Sequence, residues 1–280
     1  MKLPKIRWIG LMAAALLALT CGTGWNARQL ETDNIHLRGS GNVAIIAEQV
    51  AEKFMREHPG TVVTVSSTGT MRGLKSLIDA TCNVAMASAD SDEAEEKRAK
   101  DNAVTLVGHV IGHDALVPIV HPGNSVSNLT KEQLRKIFAG EFVNWQQVGG
   151  ADEAIIVLSH DGASGNYETW KDKVMQEGKI VTPKAQTMAS GAMRDYVRQH
   201  PGAIGYLGLS YIDSATKTLA VDGITASQDN VKNGKFPIVR DLKLFTTQHT
   251  TAPINKFVDY FLAAEQGQIF VKQAGIIPVK

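Results

Sequence analysis

Residues 158–170 read LSHDGASGNYETW, an apolar strand end, a turn of small residues and a helix start in that order. The turn sets Gly162, Ala163, Ser164, Gly165 and Asn166 between Leu158 and Trp170. Two chemistries use such a turn: a nucleophilic serine, or a cradle of backbone N–H groups around an anion. Outward from it, AIIVLS (154–159) is the apolar strand that leads in. A helix over 192–199 and the strand and turn AIGYLGL (203–209) follow.

The same order recurs upstream. A short strand at 35–37 runs into Gly39-Ser40-Gly41-Asn42 and then a helix, where Val43, Ile46, Ala47, Val50 and Phe54 repeat at helical spacing until Pro59-Gly60. TVVTVSS (61–67) is a β-branched strand ending in Thr68-Gly69-Thr70 and a second helix. NVAMAS, LVGHV and ALVPIV read as three further strands. In SNLTKEQLRKIF, Thr130 and Gln133 form a capping box, with Leu129 and Leu134 as its hydrophobic staple. Near the end, Ile254, Phe257, Val258, Phe261 and Leu262 share one helix face, and the helix breaks near Gly267.

Repeated strand–turn–helix units predict an α/β fold with mainly parallel sheets, in which ligands lie beyond the carboxyl ends of strands. Three turns, at 39–42, 68–70 and 163–166, carry small polar residues. Each helix start offers unpaired N–H groups and about half a positive charge. Aimed at one cleft, they hold a small oxyanion without a basic surface; ordinary N-capping is the other reading, and both stand at this point.

The 280 residues suffice for two α/β lobes. With 44% hydrophobic and 20% charged residues, the chain is neither disordered nor multispanning, and a net charge of +1 argues against a nucleic-acid partner. The charged run 90–100 is a solvated helix face with i,i+4 pairs. Lys2, Lys5 and Arg7 precede an apolar stretch at 8–19, which makes 1–21 a signal peptide and the mature protein an exported one. Cys21 stands where bacterial lipoproteins are cleaved and lipidated, although Thr20 replaces the usual Gly or Ala; lipidation and plain cleavage are both open. Cys82 reads as a packed, inert thiol, and no metal-type cysteine cluster or cofactor is expected.

Competing chemistry is weaker. His160, Asp161 and Ser164 are triad residue types, but they are neighbours in one loop, and Gly-x-Ser-x-Gly is not present there. No enzyme is expected. His109 and His113 fall in a strand-like segment, where i,i+4 spacing does not bring metal ligands together. Trp145 and Trp170 read as core residues.

The chain resembles the phosphate-binding periplasmic proteins of bacterial ABC importers, of the type-2 periplasmic-binding-protein fold. The blocks VSNLTKEQLRKIFAGEFVNWQQVGG, HPGAIGYLGLSYI, VDGITASQDNVKNGKFPIVRDLKLFT and FVDYFLAAEQGQIFVKQAGIIPV carry the likeness, which spans residues 35–279. It implies two lobes, 33–113 plus 216–280 and 114–215, joined after a linker at 22–33 and closing on ligand by hinge motion. It also implies capture of phosphate or a related small oxyanion, a membrane ABC permease as partner, a monomer, and a periplasmic or cell-envelope location with Cys21 as the one possible anchor. An exported sensory or scaffold protein on the same fold is the alternative.

By the same resemblance the ligand-binding residues are Ser40, Gly41, Asn42, Thr70, Met71, Arg72, Ser88, Asp90, His160, Ser164, Gly165, Asn166 and Tyr167. Several depart from the family's pattern. Asn42 replaces a threonine, Met71 and Arg72 interrupt a Gly-Ser-Gly-Thr-Gly loop, and Ala89 follows Ser88 where a charged residue is usual. His160 stands for an arginine, and Asn166 and Tyr167 replace threonine and arginine. A histidine is only partly charged near neutral pH and lacks the bidentate guanidinium. Arg72 either supplies charge from the opposite lobe or is solvated. Asp90 and Asp161 are alternatives for the carboxylate that accepts the proton of hydrogen phosphate.

Overall fold

The computed structural model describes residues 33–175 and 180–280. The signal peptide, Cys21 and the linker up to residue 32 lie outside the described residues. No described helix is long and apolar enough to cross a membrane.

Strand β1 (Asp33–Gly39) alternates, with Ile35, Leu37 and Gly39 buried and the residues between them exposed. Helix α1 (Gly41–Glu57) follows, burying the 43/46/47/50/54 stripe, and β2 (Thr61–Ser67) returns beside β1 in parallel. Helix α2 (Thr70–Ile78), β3 (Val84–Ala87) and α3 (Glu93–Asp101) complete a second unit, β3 lying parallel to β1 on its other side. In each unit the helix covers an apolar face of the strands it joins.

LVGHV and ALVPIV are not two strands. They form one 15-residue strand, β4 (Leu106–Val120), because neither Gly108 nor Gly112 makes a turn. At Gly112 a side chain would meet Ile276 Cγ2 at 2.8 Å, so this glycine lets packing close against the strand instead.

The second half contains β5 (Asn128–Leu129), α4 (Lys131–Phe138), β6 (Ile156–Ser159), α5 (Gly165–Trp170), β7 (Gln186–Thr187), α6 (Ser190–Gln199) and β8 (Ala203–Gly208). Short strands β9 (Lys217–Thr218) and β10 (Ala220–Val221), then α7 (Gln228–Lys232), lead to β11 (Val239–Thr247). Helices α8 (Ala252–Leu262) and α9 (Gly267–Gln273) and strand β12 (Ile277–Pro278) end the chain. The capping box of Thr130 and Gln133 is formed on both sides, and Leu129 and Leu134 are fully buried. The helix break near Gly267 is the gap between α8 and α9.

One sheet runs β2-β1-β3-β11-β4-β8-β6-β7. Its outer pairs β1/β2, β1/β3, β6/β8 and β6/β7 are parallel, while β4 and β11 run antiparallel to their neighbours in the middle. Those two strands are the crossovers of a two-lobe α/β fold. Ile111 of β4 and Leu242 and Leu244 of β11 belong to one core, with Val43, Phe54, Phe257 and Phe261. Ala115 to Val117 of β4 belong to another, with Phe138, Trp145, Trp170 and Tyr206. The segment after residue 216 divides differently from the expected lobe boundary. Leu219, Val221, Val231, Phe236 and Ile238 pack in the second core, so the chain returns to the first only along β11.

Candidate functional site

Two loops of the first lobe are fastened together before any ligand chemistry begins. Gly39 has φ 143°, and a Cβ there would lie 2.0 Å from Met86 O, so only glycine lets β1 run this close to β3. Its carbonyl accepts from the N–H groups of Thr68 and Gly69 at 2.8 Å each, and Ser40 N donates to Met86 O at 2.8 Å. This brings the starts of α1 and α2 beside the end of β3. Ser40 Oγ donates to Ser88 Oγ at 3.0 Å, Ser88 N donates to Thr70 Oγ1 at 3.1 Å, and the Thr70 and Ser88 hydroxyls lie 3.4 Å apart.

The second lobe faces this group with the start of α5. A Cβ on Gly165 would lie 2.4 Å from Ser88 Oγ and 2.5 Å from Thr70 Oγ1, so glycine is what permits the approach. Met71 N donates to Ala163 O at 3.4 Å across the same boundary. Asn42 Nδ2 donates to Asn166 Oδ1 at 2.8 Å, and Thr169 Oγ1 donates to Ser88 O at 3.1 Å. The expected turns therefore face one another.

A cation sits at the centre, and it is Arg240 of β11. Its Nη2 and Nε donate to Asp114 Oδ2 at 2.6 and 3.0 Å, and its Nη1 donates to Asn166 Oδ1 at 2.6 Å and to Ser88 O at 3.2 Å. Asp114 Oδ1 accepts from Leu209 N at 2.8 Å. Arg240 and Asp114 are both buried, so the pair is held in low dielectric with every carboxylate oxygen occupied. One guanidinium thus touches both lobes and both crossovers.

Asn166 Nδ2 lies 3.1 Å from His160 Nε2 and 3.5 Å from Ser190 Oγ, and His160 Nε2–H donates to Tyr206 O at 3.0 Å. Burial, with Arg240 nearby, pushes the His160 imidazole down to about 4 against the pull of the Tyr206 carbonyl. The expectation of a partly charged His160 is thereby corrected: near neutral pH it is a neutral hydrogen-bonding ring. Tyr206 stacks on Trp170 at 4.1 Å and its hydroxyl pairs with Ser159, so an aromatic floor lies beneath the polar groups.

Helix starts add fixed partial charge. The N-caps Ser40 of α1 and Gly69 of α2 make no side-chain capping bond, and neither first turn holds an acidic residue. The N–H groups of Gly41, Asn42 and Val43 in α1 and of Thr70 and Arg72 in α2 are therefore open to an anion, whereas Met71 N is taken by Ala163 O. At α5, by contrast, Ser164 Oγ accepts from Asn166 N at 3.2 Å and serves its own helix.

Of the residues expected from sequence, Ser40, Asn42, Thr70, Ser88, His160, Gly165 and Asn166 meet in this buried group, with Gly41 at its edge. Met71 and Tyr167 are half-buried beside it, and Met71 packs against the Leu74 and Leu77 cluster. Arg72 and Asp161 stay outside, paired with each other at 3.4 Å with side chains 62% and 59% exposed. Asp90 also stays outside, ion-paired with Lys243. Arg240, Asp114, Ser190 and Thr169 are the members that sequence reasoning missed. A lone aspartate heading an apolar run (DALVPIV) and an arginine on an apolar strand (IVRDL) were the available signals.

Comparison with known proteins gives the arrangement a family. The model of the PBP superfamily domain matches residues 26–265. The phosphate-binding protein PstS of Bacillus subtilis is 28% identical over 291 residues, covering 100% of this chain and 95% of that protein. PstS of Borreliella burgdorferi is 27% identical, covering 91% and 94%. A substrate-binding protein of Clostridium perfringens, solved with bound phosphate, superposes with a TM-score of 0.81 at 28% identity, covering 89% of this chain and 100% of that one. An ABC-type phosphate transport receptor of Vibrio cholerae gives 0.75 at 27%, covering 87% and 99%. The chain belongs to the PBP superfamily.

Proposed function

We propose that this chain is an exported solute receptor that captures phosphate, or a related small oxyanion, and delivers it to a membrane ABC permease. It acts as a monomer in the periplasm or cell envelope, catalyses no reaction and needs no cofactor. A lipid on Cys21 is its one possible membrane attachment. The observation that carries the reading is the convergence of two uncapped helix starts with hydroxyl, amide and guanidinium donors from both lobes at one buried point. The names of the relatives, and the phosphate in the Clostridium perfringens structure, agree with it.

An anion entering between the lobes takes over hydrogen bonds that the donors now make to one another. Asn42 Nδ2 turns from Asn166 Oδ1 to the ligand, and the hydroxyls of Ser40, Thr70 and Ser88 rotate toward it. Arg240 keeps Asp114 and lends its remaining N–H capacity, so the site holds a cation without a net positive pocket. The crossovers β4 and β11 supply the hinge. Calorimetric titration of the purified mature protein with phosphate, sulfate, arsenate, molybdate and phosphonates tests this. Heat on phosphate addition is expected, and silence with every oxyanion would replace the receptor by a sensory or scaffold protein on the same fold.

A further inference from the structure

The site's carboxylates point to its selectivity. A binding protein separates hydrogen phosphate from sulfate, two dianions of the same shape, by the proton that only phosphate carries. A carboxylate with a free lone pair accepts that proton and repels sulfate, which has none to give. Among the described carboxylates near this site, only Asp114 is buried in it, and both of its oxygens are bonded; the others are paired with cations outside the buried group. Asp114 Oδ2 takes two guanidinium bonds at 2.6 and 3.0 Å, and its Oδ1 takes the Leu209 N–H at 2.8 Å. Asp161 Oδ1 takes the Ala163 N–H at 3.0 Å and Arg72 at 3.4 Å, out at the exposed rim. Asp90 is held by Lys243, Asp241 by His113 at 2.8 Å, and Glu168 by Lys171 at 3.3 Å.

The other acceptors do not replace them. Asn166 Oδ1 already receives Asn42 Nδ2 at 2.8 Å and Arg240 Nη1 at 2.6 Å. What remains are hydroxyls, those of Ser40, Thr70, Ser88, Thr169 and Ser190, all buried. A hydroxyl accepts the phosphate proton in one rotamer and donates to a sulfate oxygen in another, so it distinguishes the two weakly.

We infer that this site takes tetrahedral oxyanions as a class, sulfate alongside phosphate, because the carboxylates beside it are bound to cations and backbone N–H groups instead of facing the ligand. The inference rests on the receptor reading above and narrows it.

The test is calorimetry of the mature protein near pH 8, where most phosphate carries the same charge as sulfate, with each anion alone and sulfate in competition with phosphate. Sulfate is expected to bind within about tenfold of phosphate and to displace it. Phosphate binding with no heat from sulfate, and no displacement at a thousandfold excess, would overturn the inference while leaving the receptor intact. Silence from both anions would bring down the receptor reading and the inference with it. Asn166→Asp sharpens the result. The substitution is isosteric: Asn42 Nδ2 and Arg240 Nη1 keep one oxygen of the new carboxylate, while the other replaces an NH2 donor beside the neutral His160 ring and adds an acceptor for the phosphate proton. It should weaken sulfate at least tenfold more than phosphate. Equal loss of both anions in a folded variant would show that carboxylate charge does not set the choice here.

Discussion

Two arginine–aspartate pairs stand at the boundary between the lobes, alike in chemistry and opposite in setting. Arg240 and Asp114 are 3% and 0% exposed, 2.6 Å apart, and every oxygen of the aspartate is bonded. Arg72 and Asp161 are 62% and 59% exposed and 3.4 Å apart. Water screens the second pair and leaves it little to contribute, whereas the first is desolvated, so losing one partner strands a buried charge. Position in the fold, not residue type, decides which arginine organises the site.

The largest effect should come from Arg240→Ala. Chemical denaturation is expected to show about 3–5 kcal/mol lost, as for a buried pair deprived of one member, with oxyanion binding abolished. A loss under about 1 kcal/mol would erase the contrast between the two pairs.

Acid gives the next effect. The His160 ring titrates at about 4 in the folded chain and at about 6.5 in the unfolded one, so the unfolded chain takes the proton first. Its contribution is full above about pH 6.5 and falls as the pH drops toward 4, by up to roughly 3 kcal/mol. Glu95 works the other way: burial first, then its hydrogen bond to Asp92, pushes it up to about 7, so its contribution is lost as the pH rises. The readout is therefore the difference between wild type and His160→Gln in denaturation series across that range. Parallel curves would mean that His160 is not the group responsible.

Thr70→Ala should weaken oxyanion binding by about 1–2 kcal/mol, the scale of a hydrogen bond to a charged partner, measured by titration. Ser164→Ala should cost about 1 kcal/mol of stability through loss of its cap to Asn166 N, with a smaller effect on affinity. Arg72→Ala should change stability by less than about 0.5 kcal/mol in thermal melts. A larger loss would promote the exposed pair to a working latch.

How much of this was legible follows from the range of each interaction. The helix starts at 39–42, 68–70 and 163–166, the capping box at Thr130 and the buried tryptophans depend on neighbours within a few residues, so periodicity and turn chemistry reveal them. The Arg240 cluster joins residues 42, 88, 114, 166 and 240, which no local pattern connects. Arg72 drew attention because it lies inside a recognisable loop, yet its helix turns the side chain outward. His160 kept its place but not its charge, since burial is a property of the packed second lobe. LVGHV and ALVPIV join into one strand because Gly112 stays extended and makes room for Val271 of α9 and Ile277 of β12.

The pairing of β4 with β11 slips between Leu242 and Lys243, two residues past Arg240. A bulge of this kind adds local twist and bends the ribbon that carries it. The strands proposed above as the hinge are thus the same strands that hold Asp114 and Arg240. On the proposed receptor reading, detection and movement would share one spring, since a solute drawing on the guanidinium would load that bend directly.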